Sequence, residues 1–232
     1  MERSVFMGRY DRNMNMLSKE ENERLRSFKI CVVGCGGIGG YVIEMLGRLG
    51  IGYITAVDRD VFEDSNLNRQ ILSNVEVLGK SKALEAKERM KRVNPDVYVN
   101  PIISEFNKEN AKDIIKGHDI VIDALDNIET RLLLQDVCED LNIPFVHGAI
   151  AGWYGQVTTV FPGDRTLDIL YKKRVLKGIE NELGNPSFTP ALVASIQVSE
   201  ALKVLIGRGE ILRKEILYID TFSQEYHKVK LS

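Results

Sequence analysis

The run Phe28-Lys29-Ile30-Cys31-Val32-Val33 followed by Gly34-Cys35-Gly36-Gly37-Ile38-Gly39-Gly40 decides the fold class. A short apolar stretch reads as a strand, and Gly34-x-Gly36-x-x-Gly39 ends it and opens a helical pattern that runs to Leu49 before Gly50 and Gly52 stop it. Tyr53-Ile54-Thr55-Ala56-Val57 is the next strand and terminates at Asp58, giving a β-α-β unit of about 30 residues. Glycines at these spacings let the backbone turn tightly and approach phosphate oxygens, while the free N–H groups of the helix N-terminus supply positive potential. Asp58 lies nineteen residues beyond Gly39, where a carboxylate accepts hydrogen bonds from ribose hydroxyls. The unit predicts nucleotide binding and does not by itself choose between NAD and ATP.

The rest of the chain extends this grammar. Ser18 and Glu21 form a capping-box pattern that predicts a short helix over about 18–27, after a polar N-terminus. Lys80 to Val93 reads as a charged helix closed by Asn94-Pro95, and Val97–Ile102 as a strand. A further helix opens at Asn107–Asn110. Asp119–Asp123 is a buried strand because its apolar residues are continuous rather than alternating. Asn127 to Asn142 reads as a helix and Pro144–Gly148 as a strand. Gln156–Phe161 then has the pattern of an antiparallel strand, residues 163–189 read as a long crossover connection, Ala191–Ile206 as a buried apolar helix, and 216–220 and 227–231 as closing strands. The expected fold is α/β, Rossmann-like, with a mixed sheet that is parallel in its N-terminal part and antiparallel at its C-terminal end, in a single domain over 1–232 with an N-terminal arm over 1–27.

Composition narrows the function classes. With 31 Lys+Arg against 33 Asp+Glu the formal charge is −2, so no general field for nucleic acid or an anionic membrane is expected. No apolar run approaches the roughly 20 residues that span a bilayer, and the N-terminus has no apolar signal-peptide core, so a cytoplasmic protein is expected. The three cysteines, Cys31, Cys35 and Cys138, are too few and too irregularly spaced for a disulfide framework, and Cys31-x3-Cys35 is one residue too long for a zinc CxxC.

The segment after Asp58 separates the nucleotides. Asp58-Arg59-Asp60 is followed by Ser65-Asn66-Leu67-Asn68-Arg69-Gln70, a polar set for which a dinucleotide enzyme has no evident use. Gly34-x-Gly36-Gly37-x-Gly39, Asp58-x-Asp60 and Ser65-Asn66-Leu67-x-Arg69-Gln70 together resemble the E1-like family of ATP-dependent activating enzymes, of the ThiF, MoeB and HesA type. Arg9-Tyr10-x-Arg12, Gly79-Lys80-Ser81-Lys82, Asn94-Pro95, Asp123-x-x-Asp126-Asn127 and Glu200-Ala201-x-Lys203 resemble further family segments, so the likeness covers most of the chain. Asn13 stands where the family usually has Gln.

The resemblance implies an adenylyltransferase. The C-terminal carboxylate of a small ubiquitin-like sulfur carrier (of ThiS or MoaD type, ending in Gly-Gly) would attack the α-phosphorus of ATP, giving an acyl-adenylate and pyrophosphate. Such carriers serve thiamine or molybdopterin synthesis or related sulfur transfer. A carboxylate is already ionised at neutral pH and needs no general base, so orientation and charge neutralisation carry the rate. The resemblance implies that Arg69 and Lys82 contact the phosphates, that Asn66 and Gln70 orient them, that Asp126 ligates Mg²⁺, and that Arg12 reaches the site of the neighbouring subunit in a homodimer. Gly34, Gly36, Gly37, Gly39, Asp58, Asp60 and Asn127 complete the expected nucleotide site. Asp123 is either a partner of Asp126 or a buried structural acid, and Asn127 either a ligand or a helix cap. His118, His147 and His227, at separate strand edges, read as structural. Trp153 and Tyr154 follow Gly152 in a loop, with core packing expected over a partner surface.

Two departures from the family stand out. Many relatives carry paired CxxC zinc ligands, and this chain has none, so no zinc is expected. Many carry a cysteine in the crossover, and residues 163–189 contain none. The expectation is adenylation without a covalent cysteine step. Activation of a peptide or small carboxylic acid, an NAD(P)-dependent oxidoreductase and an inactive partner subunit are the alternatives.

Overall fold

A computed structural model describes residues 8–172 and 183–231. Eight strands form one sheet in the order β3-β2-β1-β4-β5-β6-β7-β8. They are β1 (Lys29–Val33), β2 (Tyr53–Val57), β3 (Tyr98–Ile102), β4 (Ile120–Asp123), β5 (Phe145–Ala151), β6 (Tyr154–Val160), β7 (Glu215–Asp220) and β8 (Glu225–Lys230). The five strands from β3 to β5 are parallel, and β6, β7 and β8 add antiparallel. The expected mixed sheet is therefore what forms. β1 and β4 are buried on both faces, as their unbroken apolar runs require.

Helices α1 (Lys19–Arg24), α2 (Gly37–Leu49), α3 (Lys82–Val93), α4 (Ala111–Ile115), α5 (Ile128–Asp140), α6 (Thr166–Leu170) and α7 (Phe188–Ile206) complete the described elements. Ser18 caps α1 through the reciprocal bond with Glu21, and Gly50 ends α2 in the left-handed region at φ 95°. One core layer joins α2, α3 and α7 to the sheet through Ile43, Leu46, Met90, Val193 and Ala201. The other holds Ile115, Leu134, Cys138 and Leu167 of α4, α5 and α6. The N-terminal segment is docked rather than loose: Tyr10 is buried, and its hydroxyl accepts from Nδ2 of the fully buried Asn94 at 2.7 Å. This gives Asn94-Pro95 a packing role at the end of α3.

Several sequence expectations shift. The crossover over 163–189 contains α6, and its last residues already belong to α7; residues 173–182 lie outside the described part. α7 starts earlier than Ala191 and is long and apolar enough by length and composition to cross a membrane, contrary to the expectation that no run approaches that length. Half of it is buried, and it packs on α2, β5 and β6, so its apolarity serves the core. Trp153 and Tyr154 do not pack into the core: each is 47% exposed, and Trp153 meets Phe188 and Phe222 on the surface at ring separations of 4.9 and 5.5 Å.

Candidate active site

From β1 the chain winds outward through β2 and β3, and then returns to β4 and β5 on the opposite side of β1. The carboxyl ends of β1 and β4 therefore flank a switch in winding direction, where open α/β sheets bind ligands. A cleft of about 650 Å³ opens there. Val33-Gly34, Val57-Asp58 and the 124–127 loop after β4 bring the ends of three adjacent strands to its walls.

Gly34, Gly36, Gly37, Asp58, Asp60, Asn66, Arg69, Gln70, Lys82, Asp126 and Asn127 all line this cleft. Eleven residues chosen from separated segments thus converge. Gly34 has φ 100°, a conformation only glycine adopts without strain. Gly39 does not line the cleft. A Cβ there would overlap the Gly34 carbonyl oxygen, so its requirement is close helix–loop approach rather than ligand contact. Arg12 is exposed on a short turn over Asp11–Asn13 and is not part of its own chain's cleft.

Asp58 shapes the glycine loop as well as facing the cleft. Its Oδ2 accepts the Cys35 N–H at 2.7 Å and its Oδ1 the Asp60 N–H at 2.8 Å. Burial pushes its carboxyl above the ordinary range, against the pull of these two amides. Lys82 begins α3, capped by Ser81, and its nearly buried ammonium is 3.4 Å from Asp60. Asn66 is buried and its Oδ1 accepts the Glu63 N–H at 3.0 Å, which closes the turn that carries Arg69. Arg69 Nη1 donates to the Ser65 carbonyl at 2.8 Å and to Asn68 Oδ1 at 2.9 Å. Gln70 is buried in the wall, and its Oε1 has no hydrogen-bond partner among the described residues, a state that fits a group placed to meet a ligand.

Asp126 is exposed, with Oδ1 accepting from Asn127 Nδ2 at 3.3 Å. Asn127 also caps α5, its Oδ1 accepting the Thr130 N–H at 2.8 Å. Asp123 resolves as the structural acid: it is fully buried, does not line the cleft, and accepts from the Leu125 N–H at 3.0 Å and from His147 Nδ1 at 2.6 Å. His147 is not at a strand edge but inside β5, in register with Asp123. His118 is structural as expected, bonded to the Ile115 carbonyl and Thr55 Oγ1, both at 2.8 Å.

Other wall residues escaped the sequence reading. Ser104, Glu105 and Phe106 come from the turn after β3, Arg131 from α5 and Asn185 from the return of the crossover. Arg131 carried a signal, since it lies one helical turn after Asn127 and so on the same face; the others carried none. The Asn185 Oδ1 is a second buried acceptor in this wall without a partner among the described residues.

The three thiols are buried and free of disulfides. Burial pushes all three above the ordinary thiol range, and at Cys35 the neighbouring Asp58 charge pushes further the same way. Cys35, which the sequence placed in an electropositive loop, is thus packed and protonated.

The ThiF family, as described by its profile, matches residues 10–232. The SAMP-activating enzyme E1 of Haloferax volcanii is 36% identical over 228 residues, covering 96% of this chain and 84% of that protein. The sulfur carrier protein adenylyltransferase of Thermus thermophilus is 36% identical over 234 residues, covering 96% and 86%. Among solved structures, MccB of E. coli with ATP superposes with a TM-score of 0.83 at 20% identity, over 99% of this chain and 72% of that one, a likeness of fold.

Proposed function

The chain belongs to the ThiF family, and from that premise we propose that it is an ATP-dependent adenylyltransferase that activates the C-terminal carboxylate of a small ubiquitin-like sulfur carrier ending in Gly-Gly. The observation that carries the reading is the convergence of Arg69, Lys82, Asn66, Gln70 and Asp126 with the glycine loop in one cleft. Two similar proteins, each 36% identical, are named a SAMP-activating enzyme E1 and a sulfur carrier protein adenylyltransferase.

Asp58 holds the ribose hydroxyls from the end of β2, and the N-terminus of α2 takes phosphate oxygens on its free N–H groups. Arg69 and Lys82 neutralise charge as the carrier carboxylate attacks the α-phosphorus: the new C–O–P bond forms as the bond to pyrophosphate breaks. The nucleophile arrives ionised, so no base is required. Gln70 Oε1 and Asn185 Oδ1 are acceptors for donor groups of the bound substrates.

The donor set also fits Mg²⁺. That cation takes one or two carboxylates and completes its shell with phosphate oxygens and water. Asp126 is an accessible carboxylate at the cleft, and no cluster of three acidic, histidine or cysteine ligands occurs among the described residues. Asp126 would hold the cation, which would offset charge on the leaving pyrophosphate.

The active unit in this reading is a homodimer. Arg12 is exposed and does not line its own cleft, which leaves it free to serve a neighbouring one. The reaction ends at the acyl-adenylate. The crossover has no cysteine and the three thiols present are buried.

The test is carrier-dependent ATP–pyrophosphate exchange against a panel of Gly-Gly-ended carriers. Arg69→Ala and Asp126→Ala each abolish exchange while the fold persists; unimpaired exchange in both would overturn the site. A mixture of Arg12→Ala and Asp126→Ala chains recovers part of the activity if the arginine works across a dimer. A thioester trapped on the wild-type chain and lost on Cys→Ala replacement would overturn the adenylation-only reading.

A further inference from the structure

Behind the cleft lies a closed set of buried polar side chains that phosphate chemistry does not require. Asp123 Oδ2 accepts from His147 Nδ1 at 2.6 Å, and the imidazole is fully buried. On its far side His147 Nε2 is 3.1 Å from the Tyr171 hydroxyl. That hydroxyl also meets Gln156 Nε2 and Arg131 Nη1, each at 3.2 Å. Arg131 lines the cleft, donates Nη2 to the Leu125 carbonyl at 2.5 Å, and holds Nε 3.8 Å from Asp123 Oδ2. Asp123 Oδ1 accepts the Leu125 N–H. Both polar groups of the Leu125 backbone, next to Asp126, are therefore fastened to this one set.

Asp123 Oδ2 accepts from His147 Nδ1, so that nitrogen carries a hydrogen. Gln156 Nε2 lies 3.2 Å from both the Tyr171 oxygen and His147 Nε2, and Arg131 only donates, so the Tyr171 oxygen accepts from Arg131 and Gln156, and His147 Nε2 accepts from the donors facing it. The imidazole is neutral, and burial, which disfavours its charged form, works in the same direction despite Asp123. Every link runs one way, from the guanidinium through the phenol and imidazole to the carboxylate. Asp123 and Arg131 face each other as a compensated buried pair, which would leave a naked charge if either were lost.

Each member comes from a different element: Asp123 from β4, Arg131 from α5, His147 from β5, Gln156 from β6 and Tyr171 just after α6. Such a circuit fixes an angle between elements that apolar packing alone leaves free to slide. What it fixes is the guanidinium in the cleft wall and the loop that carries Asp126.

We infer that His147 and Tyr171 are positioning residues for the nucleotide site: the Asp123–His147–Tyr171–Arg131 circuit holds the Arg131 guanidinium and the 124–127 loop in the arrangement that receives the triphosphate. The inference rests on the adenylation reading only in taking the cleft as a nucleotide site. It enlarges the functional unit from the cleft wall to a layer of residues that touch no substrate.

The test uses the full chain and α,β-methylene-ATP with Mg²⁺, titrated calorimetrically, so that no carrier is needed. Tyr171→Phe removes only the hydroxyl. His147→Asn keeps a donor toward Asp123 and removes the acceptor for Tyr171. Arg131→Lys keeps the charge that compensates Asp123 and loses the fork. Each is expected to weaken nucleotide binding about five- to tenfold. The Tyr171→Phe/His147→Asn double variant is expected to be no weaker than the worse single one, because both cut the same link. A purely structural circuit would lower the melting temperature and leave the Kd within twofold of wild type, and that result overturns the inference. Losses that multiply in the double variant also overturn it. Wild-type protein that binds the nucleotide but supports no exchange with any carrier removes the proposed function and leaves this test standing.

Discussion

The glycines of the loop separate by what they do, and a pair of alanine substitutions should show it. At Gly39 an added Cβ overlaps the Gly34 carbonyl oxygen and comes within 3.2 Å of the Ala124 Cβ, and the first of these is backbone that cannot rotate away. At Gly37, which lines the cleft, the same Cβ finds Pro190 Cγ at 3.5 Å and Arg69 Cγ at 3.8 Å, ordinary contact distances. Overpacking against a rigid neighbour costs about 3 kcal/mol, and Gly→Ala inside a helix returns about 1 kcal/mol. The net for Gly39→Ala is about 2 kcal/mol of lost stability, or roughly 4–8 °C in Tm for a chain of this size. Gly37→Ala, with no clash and a helical φ, should stay within about 1 kcal/mol of wild type in either direction. On the proposed reading its methyl group crowds the N-terminus of α2 that takes the phosphates, and the expected tenfold loss of nucleotide affinity corresponds to about 1.4 kcal/mol. Urea and thermal unfolding supply the first comparison and calorimetric titration of α,β-methylene-ATP the second. The reasoning is refuted if Gly39→Ala melts with wild type while Gly37→Ala unfolds early, or if Gly37→Ala binds nucleotide normally.

Three other outcomes follow from buried groups. The Glu200 carboxylate accepts the Leu212 N–H at 2.8 Å and the Thr159 hydroxyl at 2.7 Å, so Glu200→Ala strands two buried donors and should cost about 3 kcal/mol in urea unfolding. At Asp164 burial pushes the carboxyl up, but Arg213 and the Phe161 N–H outweigh it and hold it below the ordinary range. A lowered folded-state value means a contribution that is present above about pH 4, the unfolded value, and lost as pH falls through the folded one. Stability measured from pH 6 downward should therefore fall less steeply in Asp164→Asn than in wild type. Cys31, Cys35 and Cys138 are buried, so Ellman's reagent should find no fast thiol in the native chain and three after unfolding.

How far the sequence carried depended on whether a signal was local. β1 and β4 were legible because strands buried on both faces must be continuously apolar, and α1 because its capping box lies within four residues. β5 was read three residues short, ending at Gly148, which instead lies inside the strand opposite Gln197 of α7, where a Cβ would collide with the amide. Asp58, Asn66, Arg69, Gln70 and Lys82 were found because a run of motif residues in one register is itself improbable. Ser104–Phe106 and Asn185 were not, because they reach the cleft by chain return and the distance is set by packing. His147 shows the limit best. Its partner Asp123 is 24 residues away, and only the parallel register of β4 and β5 puts the two side by side. Tyr171 lay in a connection with no periodic pattern at all.

On the proposed reading, the charges of the cleft account for how a chain of net charge −2 prepares a site for a polyanion. Its cations are not left loose. Arg59 is held by Glu105 at 2.6 Å, Lys82 faces Asp60 at 3.4 Å, Arg69 is bonded to the Ser65 carbonyl and Asn68, and Arg131 to Tyr171. The two acids among these partners are more than half exposed, so the pairs are weak and salt-screened and their exchange for phosphate costs little. The neutral partners do not have to be exchanged at all: Arg69 keeps its bonds to the Ser65 carbonyl and Asn68, and Arg131 its bond to the Tyr171 hydroxyl, with Asp123 behind it as the buried counter-charge. Orientation is thus settled before a triphosphate arrives, which is the condition under which fixed charges favour a transition state over bulk water. On the proposed reading, a net charge near zero and a phosphate-binding cleft are compatible because the acids beside the cleft hold its cations in place.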